Sequence, residues 1–358
     1  MKLPVIELAG TPQEMGRALG EACRDMTGEL YELRMREAVA FAGRFNRQVL
    51  RDEVLGLCQR CLDLTHQYDP RGYEELIGIA EGSGLTQAQV YAANCLTDVQ
   101  DVLGVGDPRK VEACTSSIIC PDRALDGRIL IGENWDLQTN HMPYVVLVRR
   151  RPDSGPRTCS LTLSGCISLI GMNSEGIAVG MTNLRTTDAR PGVAYVSMVH
   201  KALGATTLDD AVSAIRDAPR AAAHYYFLAG PDGVAWSIEC SATRQEAQRL
   251  TSGAYAHCNH ILSQEIRDIE VPNPTDSTCQ RQDRMGELLA THHGEIGVDD
   301  LKRFFSDHDG GEQAICRHNV GVGISTNACI IMSPTTRQMH ACRGYPHEGT
   351  WVETTLNG

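Results

Sequence analysis

The sequence lacks any run of basic residues and any apolar stretch long enough to span a membrane. Its formal net charge is -12, with Lys and Arg spread along the chain, whereas nucleic acids and anionic membrane surfaces bind clustered positive charge. A membrane-spanning helix needs about 20 apolar residues, and residues 1–16 are too polar for a signal peptide. We therefore expect a cytoplasmic protein that binds neither nucleic acid nor membrane.

Aromatic residues are also scarce, at 5% of the chain, but the hydrophobic content of 42% and the charged content of 22% are ordinary for a soluble globular protein. These values exclude disordered and fibrous proteins. A chain of 358 residues can form two domains or one large layered domain, and we favour one.

Cysteine, by contrast, is plentiful, with 14 residues. Without a secretion signal these thiols should stay reduced, and most should be small buried apolar residues. Cys58 and Cys61 have the spacing of a metal or redox pair, but they fall in a helical apolar pattern with Val54 and Leu62, and no second pair accompanies them. We expect both to lie in the core.

The first third of the chain is predicted to be mainly helical and the remainder rich in strands. Thr-Pro-Gln-Glu at 11–14 is a capping box with proline at the first helical position. Helices are predicted over 11–42, 51–66, 72–81, 86–94, 207–217 and 279–291. Antiparallel strands are predicted over 115–119, 128–132, 144–150, 158–163, 167–172, 176–182, 224–239 and 324–342. The pattern indicates an α+β fold with helices layered on antiparallel sheets.

Cys114 differs from the other cysteines because it begins a predicted strand and is followed directly by hydroxyl residues, the first of which are Thr115 and Ser116. If the chain were cut before Cys114, the new α-amino group, with a pKa of about 7.7 to 8.0, could accept the proton of its own thiol near neutral pH. No catalytic histidine would then be needed. The same thiol could make the cut by attacking the carbonyl of Ala113 to form a thioester that water releases.

Several further motifs stand in an order and spacing that together are specific. They are Leu8-Ala9-Gly10-Thr11-Pro12 with Glu14-Met15-Gly16 and Gly20; Gly78-Ile79-Ala80-Glu81-Gly82; Ala113-Cys114-Thr115-Ser116; Asn134-Trp135-Asp136; Gly171-Met172-Asn173-Ser174-Glu175-Gly176; His257-Cys258-Asn259-His260; Ser277 with Arg281 and Arg284; and Ile315-Cys316-Arg317. With them the chain resembles the acyl-coenzyme A:6-aminopenicillanic acid acyltransferase (isopenicillin N acyltransferase) family of N-terminal nucleophile hydrolases, which includes β-alanyl-amine hydrolases.

The resemblance implies a four-layer αββα sandwich with two stacked antiparallel sheets between helical layers. It also implies a precursor cut between Ala113 and Cys114, so that residues 1–113 become a small subunit and residues 114–358 a large one, together forming one domain. By matching motif, Cys114 would be the nucleophile, Asn259 the side-chain donor of the oxyanion hole, and Asp136 the carboxylate that orients the new amino terminus. Ser116 would assist self-cleavage.

The substrate is expected to contact Thr115, Asn134, Leu137 and Gln138. Leu137-Gln138 stands where the fungal family member has an aromatic pair, which disfavours an aromatic acyl group. The stretch 320–325 offers no arginine where the fungal member has one, and Ala113 replaces the family's glycine before the cut. We therefore predict a self-processing cysteine amidase that hydrolyses a small linear amide, such as an aminoacyl or β-alanyl conjugate of an amine, through a thioester.

Two other functions remain open at this point. One is an N-acyltransferase that takes its acyl group from coenzyme A. The other is a non-catalytic metal- or thiol-binding protein, suggested by Cys58 with Cys61 and by His257 with His260. We expect no cofactor and no metal; the expected partners are the small-molecule amide and the chain's own cleaved N-terminal segment, with a homo-oligomer also open.

Some of these residues have structural alternatives. Asp136 could be a turn residue after a strand, and Asn259 could cap a loop. Arg281 and Arg284 share one face of a predicted helix, and the spacing favours structural ion pairs over substrate binding.

Overall fold

The computed structural model describes residues 1–44, 48–104, 113–271, 277–318 and 323–356. The α-helices are α1 (Pro12–Ala22), α2 (Arg24–Arg44), α3 (Arg51–Tyr68), α4 (Pro70–Ser83), α5 (Gln87–Leu103), α6 (Tyr195–Leu203), α7 (Leu208–Arg216), α8 (Ser277–Thr291) and α9 (Val298–Phe305). The strands are β1 (Val5–Gly10), β2 (Ala113–Ile119), β3 (Leu130–Gln138), β4 (Val145–Pro152), β5 (Thr158–Leu163), β6 (Ile170–Asn173), β7 (Ala178–Asn183), β8 (His224–Ala229), β9 (Ala235–Cys240), β10 (Gln245–Leu250), β11 (Ala254–His257), β12 (Ile324–Ser333), β13 (Gln338–Arg343) and β14 (Val352–Thr355). Short 3₁₀ segments lie at Leu125–Gly127, Thr139–Tyr144, Arg267–Ile269 and Gly311–Gln313.

The strands form two sheets. One sheet has eight strands in the order β1-β4-β5-β6-β7-β8-β9-β10, and the other has six in the order β11-β2-β3-β12-β13-β14. Among the described strands, all neighbours are antiparallel except β1, which runs parallel to β4. The prediction of wholly antiparallel sheets is therefore wrong at that edge, where a distant N-terminal strand joins the sheet.

The two sheets stack face to face between helical layers. Strands β2 and β3 of the six-stranded sheet contact β7 and β8 of the other, while α8 and α9 cover the far side of the six-stranded sheet. Helices α6 and α7 pack on the far side of the eight-stranded sheet, α1 packs on its β1 and β4 edge, and α2–α5 pack on one another. This arrangement confirms the predicted αββα sandwich. Within the described residues, no helix is long and apolar enough to cross a bilayer.

The capping box at Thr11 forms as predicted, since the Thr11 hydroxyl accepts from the Glu14 N–H at 3.3 Å and the Glu14 carboxylate accepts from the Thr11 N–H at 2.9 Å. The helix predicted over 11–42 is interrupted at Cys23, where φ is -113° and ψ is 14°. It is therefore two helices, α1 and α2.

Glycines of the N-terminal motifs allow α1 and α4 to cross at close range. A Cβ added at Gly16 would lie 2.1 Å from the Glu75 carbonyl oxygen, and one at Gly78 would lie 2.2 Å from the Gln13 carbonyl oxygen. Real Cβ atoms do not approach backbone this closely, so a side chain at either position would force the helices apart. These glycines therefore serve helix packing.

Buried polar contacts join the N-terminal helices to the strand-rich part of the chain. Glu75 on α4 accepts from Arg150 on β4 at 2.8 Å, and Asp98 on α5 lies 2.7 Å from the imidazole of His224 on β8. All four side chains are almost fully buried. Removing either partner of such a pair would leave an uncompensated buried polar group, which is strongly destabilising.

Candidate active site

Cys114 is the second residue of β2, between β11 and β3 in the six-stranded sheet. In the antiparallel ladder Ala113 lies opposite Asp136 and Cys114 lies opposite Trp135. Because side chains alternate between the faces of a sheet, Cys114 and Asp136 emerge on opposite faces. Cys114 joins Trp135 in the core between the sheets, while Asp136 faces the α8 and α9 layer beside the peptide bond that precedes Cys114.

Buried polar side chains from other elements hold the backbone of Cys114. Its N–H donates to Oδ1 of Asn259 at 2.6 Å, and its carbonyl oxygen accepts from Nη1 of Arg281. Arg281 also donates from Nη2 to Asn259 Oδ1 and from Nη1 to Thr115 Oγ1, each at 3.0 Å. Cys114, Asn259 and Arg281 therefore form one closed network with little access to water, since their exposed fractions are 1%, 7% and 1%.

Arg281 is a residue of this network that sequence reasoning did not place there. The ion-pair prediction is confirmed for Arg284, which contacts Asp307 at 2.7 Å and Glu287 at 2.8 Å. It is wrong for Arg281, which makes no ion pair within the described residues and binds oxygen atoms of the site instead. The sequence does contain a signal for this placement, the helical periodicity, because Arg281 lies on the buried face of α8 with Met285 and Leu289. An arginine on an apolar helix face needs polar partners across the interface.

Asp136 lies inside β3, so the alternative of a turn residue is wrong. Its side chain is fully buried, Oδ1 accepts from the Thr326 hydroxyl at 2.7 Å, and Oδ2 has no hydrogen-bond partner among the described residues. Burial raises the pKa of Asp136 to about 6, although the positive charges of Arg281 and Arg317 and the Thr326 hydrogen bond oppose the rise. The carboxylate is therefore ionised at neutral pH at a cost to folding.

We expect this cost to appear as a pH dependence of stability. The pKa of Asp136 in the folded chain, about 6, exceeds its ordinary value of 3.8, so between these values the folded chain holds the proton and the unfolded chain releases it. The free energy of unfolding should therefore fall as pH rises from about 4 to about 6 and stay lowered above that range. Each pKa unit corresponds to about 1.4 kcal/mol, which gives a total loss of about 3 kcal/mol.

The measurement compares Cys114→Ala with Cys114→Ala/Asp136→Asn by urea unfolding, because the first substitution removes the thiol that is expected to cut the chain. Between about pH 4 and about pH 7, the single variant should lose about 2 to 3 kcal/mol relative to the double variant. Effects of the amide that do not depend on pH cancel in this comparison. Equal losses in the two chains would contradict the assignment.

Asn259 follows β11 and reaches across to β2. Besides accepting from Cys114 and Arg281, its side chain donates from Nδ2 to the Asn183 carbonyl oxygen at 3.0 Å. These partners are distant in sequence, so the loop-cap alternative is wrong. An amide nitrogen carries two N–H donors, and the second one is the donor that the predicted oxyanion role requires.

The remaining predicted residues take different places around this network. Ser116 donates to the His257 carbonyl oxygen at 2.8 Å, which ties β2 to β11. Asn134 lies on the helix-facing side, where Nδ2 donates to the carbonyl oxygens of Phe305 at 2.8 Å and Ile315 at 3.0 Å. These hydrogen bonds show that Asn134 links β3 to the helical layer, which argues against the predicted substrate contact.

Leu137 and Gln138 end the same strand. Leu137 is buried on the inter-sheet face that also carries Cys114, and Gln138 is half-buried with its carbonyl oxygen accepting from Asn327 at 3.1 Å. Leu137 is therefore on the face of the thiol. The stretch 320–325, where an arginine is missing, lies partly outside the described residues.

Arg317 and Thr326 also lie near Asp136, and the motifs gave no indication that these two residues contact each other. The Arg317 N–H donates to Thr326 Oγ1 at 2.9 Å, and the Thr326 N–H donates to the Arg317 carbonyl oxygen at 2.9 Å. Thr326 in turn bonds Asp136. The pair therefore fixes both a positive charge and a hydroxyl next to the carboxylate.

The pairs that suggested metal or thiol binding have structural surroundings. His257 lies 2.6 Å from Glu239 and stacks on Tyr225 at 3.7 Å between ring centroids. His260 Nδ1 lies 2.9 Å from the Thr278 hydroxyl. Cys58 and Cys61 lie in the core. Burial raises the pKa of both thiols, so neither is a ready thiolate.

Comparison with known proteins gives a family match over most of the chain. The acyl-coenzyme A:6-aminopenicillanic acid acyl-transferase family matches residues 123–348, a range that begins after Cys114. The acyl-coenzyme A:6-aminopenicillanic-acid-acyltransferase 40 kDa form of Emericella nidulans is 27% identical over 317 residues, which are 86% of this chain and 83% of that protein. An uncharacterized protein of Archaeoglobus fulgidus is 26% identical over 255 residues, 64% of this chain and 41% of that longer protein.

Solved structures with a similar arrangement are more distant. A mutant conjugated bile acid hydrolase from Clostridium perfringens is 8% identical with a TM-score of 0.46, over 69% of this chain and 94% of that one. Penicillin V acylase from Agrobacterium tumefaciens is 10% identical with a TM-score of 0.40, over 68% of this chain and 86% of that one. A likeness at this level does not bear on the chemistry of the site.

Proposed function

Since the chain belongs to the acyl-coenzyme A:6-aminopenicillanic acid acyltransferase family and is an enzyme of the N-terminal nucleophile amidohydrolase or acyltransferase type, we propose that it is a self-processing cysteine amidase. It cuts its own chain before Cys114 and then hydrolyses a small linear amide in the cytoplasm. The main support for the proposal is that buried side chains hold the Cys114 backbone on both sides of its Cα. Asn259 accepts from the N–H, and Arg281 donates to the carbonyl oxygen.

In self-cleavage, the Cys114 sulfur attacks the carbonyl carbon of Ala113. The carbon–nitrogen bond breaks, the nitrogen takes up a proton, and the acyl group moves to sulfur as a thioester. Water then releases the carboxyl group of Ala113 and restores the thiol. Asn259 Oδ1, which accepts from the Cys114 N–H in the intact chain, is placed to accept from the new amino group.

Cleavage must also expose the Cys114 thiol to the substrate. In the intact chain Cys114 is 1% exposed and β2 continues through Ala113, which pairs with Asp136. A cut gives Ala113 a chain end that can leave the ladder, after which a small molecule can approach. Self-cleavage in this proposal therefore supplies the base and opens the site in one event.

In turnover, the α-amino group of Cys114 takes the thiol proton, and the thiolate attacks the substrate's amide carbon. The oxyanion that forms is stabilised by the second N–H of Asn259, and buried positive charge from Arg281 stabilises negative charge nearby. The amine leaves with the proton, and water hydrolyses the thioester to the acid. The ionised Asp136 favours the ammonium form of the amino terminus while it holds the proton.

The proposed substrate is an aminoacyl or β-alanyl conjugate of an amine. Gln138 has two donors and one acceptor for a polar acyl chain, and Leu137 replaces an aromatic side chain on the face of the thiol. The net charge of -12 favours approach of a cationic amine over anionic coenzyme A, although salt at about 0.15 M limits this effect to roughly 8 Å.

Acyl transfer from coenzyme A is the second candidate, because the relative from Emericella nidulans is named an acyl-coenzyme A acyltransferase. Both reactions share the thioester and differ only in donor and acceptor. The nucleophile proposal therefore stands whichever reaction the enzyme favours.

The test supplies the processed enzyme with β-alanyl-amine conjugates in one reaction and with phenylacetyl-coenzyme A plus an amine in another. We expect free amine from the conjugates and little new amide from the thioester. The uncut Cys114→Ala chain is the background control. Amide formation from phenylacetyl-coenzyme A without hydrolysis of the conjugates would replace the amidase with the acyltransferase.

A further inference from the structure

Three histidines outside the Cys114 network lie together at one end of the six-stranded sheet. His308 follows α9, His318 precedes β12, and His347 lies between β13 and β14. One ring nitrogen from each lies within 4.8 Å of the others. The rings of His308 and His318 lie 4.6 Å and 4.9 Å from that of His347, measured between centroids. Two connecting segments, one between α9 and β12 and one between β13 and β14, therefore bring three imidazole nitrogens together.

The hydrogen bonds around these rings leave nitrogen atoms available for a ligand. His308 Nδ1 lies 2.8 Å from the Ser306 carbonyl oxygen, so Nδ1–H is the donor and Nε2 keeps its lone pair. A backbone carbonyl that fixes the tautomer in this way is typical of metal-binding histidines. His318 Nε2 is buried and has no hydrogen-bond partner among the described residues. A buried polar atom without a partner lowers the stability of the fold, so it calls for an explanation such as a bound ion.

The spacing is also close to that of a metal site. Zinc binds imidazole nitrogen at about 2.0 to 2.1 Å with tetrahedral geometry, which places ligand nitrogens about 3.3 Å apart. Small rotations of the side chains would close the present spacing of up to 4.8 Å. His308 and His347 are exposed, so these rotations meet little resistance.

We propose that His308, His318 and His347 form a binding site for a divalent transition-metal ion, and that this ion is Zn²⁺. Three imidazoles suit zinc and its neighbours and do not suit Ca²⁺ or Mg²⁺. The Glu348 carboxylate lies 3.5 Å from His347 Nε2 but outside the group of three. The sulfur of Cys316 lies 3.8 Å from His347 Nδ1 but outside the group of three, and water takes the fourth position.

The metal would join two segments that border the catalytic network. The Cys316 N–H donates to the Asp307 carbonyl oxygen at 2.7 Å, which closes a loop from 307 to 316, and the Cys316 sulfur lies 3.8 Å from Nδ1 of His347 on the other segment. Arg317 directly follows this loop, and its N–H donates to the Thr326 hydroxyl, which bonds Asp136. The metal would therefore hold the two segments together next to residues of the Cys114 network. It would take no part in bond breaking.

The experiment titrates the full chain, produced without a polyhistidine tag and stripped with a chelator, with Zn²⁺ against a chromogenic chelator. We expect about one zinc ion per chain and a tetrahedral visible spectrum when Co²⁺ replaces zinc. His308→Gln, His318→Gln and His347→Gln should each weaken zinc affinity by more than about 10- to 100-fold, because loss of even an outer partner has that effect. The melting temperature should rise with zinc in the parent chain and not in these variants.

His293→Gln is the matched control, because His293 is exposed and outside the group; it should bind zinc as the parent does. Melting temperatures without metal show whether each variant is folded. Affinity that is unchanged in all three variants, or equally weakened by His293→Gln, would mean adventitious surface binding and would overturn the proposal. A chain that binds no zinc would overturn it as well.

Discussion

Cys114→Ala should leave one intact, folded chain from residue 1 to residue 358 with no amidase activity. In the proposed mechanism the Cys114 sulfur attacks both Ala113 and the substrate, so its removal should abolish the cut and lower turnover by on the order of 10⁶-fold, as when another covalent nucleophile is removed. The fold should persist, because alanine is accommodated at a buried β-strand position and leaves only a small cavity. Intact-mass analysis and an amide hydrolysis assay measure the two effects.

Cys120→Ala is the matched control, because Cys120 directly follows the same strand and is also fully buried. This chain should be cut before Cys114 and should retain activity. A Cys114→Ala chain that is still cut, or that still hydrolyses amides, would refute the nucleophile assignment.

Arg281→Gln should prevent or greatly slow the cut and lower turnover by roughly 10² to 10³, the loss typical of a missing electrostatic donor in an active site. Glutamine cannot reproduce the three contacts of the guanidinium with Cys114, Thr115 and Asn259. It also removes a positive charge that lowers the pKa of Asp136. The half-time of self-cleavage after refolding and the turnover number of any processed enzyme report these losses.

Arg284→Gln controls for loss of an arginine from the same helix. Its ion pairs with Asp307 and Glu287 lie at a partly exposed position, where such pairs contribute about 0 to 1 kcal/mol. Processing and turnover should therefore be near normal. If Arg281→Gln matched this control while remaining folded by circular dichroism, Arg281 would have no part in the site.

The sequence was informative about elements whose signals are local. The capping box at Thr11 predicted the start of α1, and the short Val- and Ile-rich runs predicted most strands. The parallel pairing of β1 could not be seen, because its partner β4 is distant in the chain and pairing leaves no local trace. The end of β3 was also missed, since Asn134 and Asp136 are polar residues that are buried only because α9 and β12 cover them.

The candidate site divides in the same way. Cys114 and Asp136 lie on neighbouring strands of one antiparallel pair, and the sequence linked them only through the family resemblance, which implied roles for both in one site. Arg281 joins them from α8, 167 residues beyond Cys114, and only the packing of that helix on the sheet brings it there. The three-histidine cluster combines two loops in the same manner, so spacing along the chain gave no signal for it.

The pairing of β1 with β4 has a consequence for the lifetime of the processed enzyme. If the chain is cut before Cys114 as proposed, β1 and helices α1–α5 belong to one polypeptide and β4 to another. None of the fourteen cysteines, all within the described residues, forms a disulfide between them. Unfolding then separates two molecules, and reassembly becomes a second-order reaction that slows on dilution. The precursor refolds as one molecule, whereas the durability of the mature enzyme is governed by how slowly it unfolds.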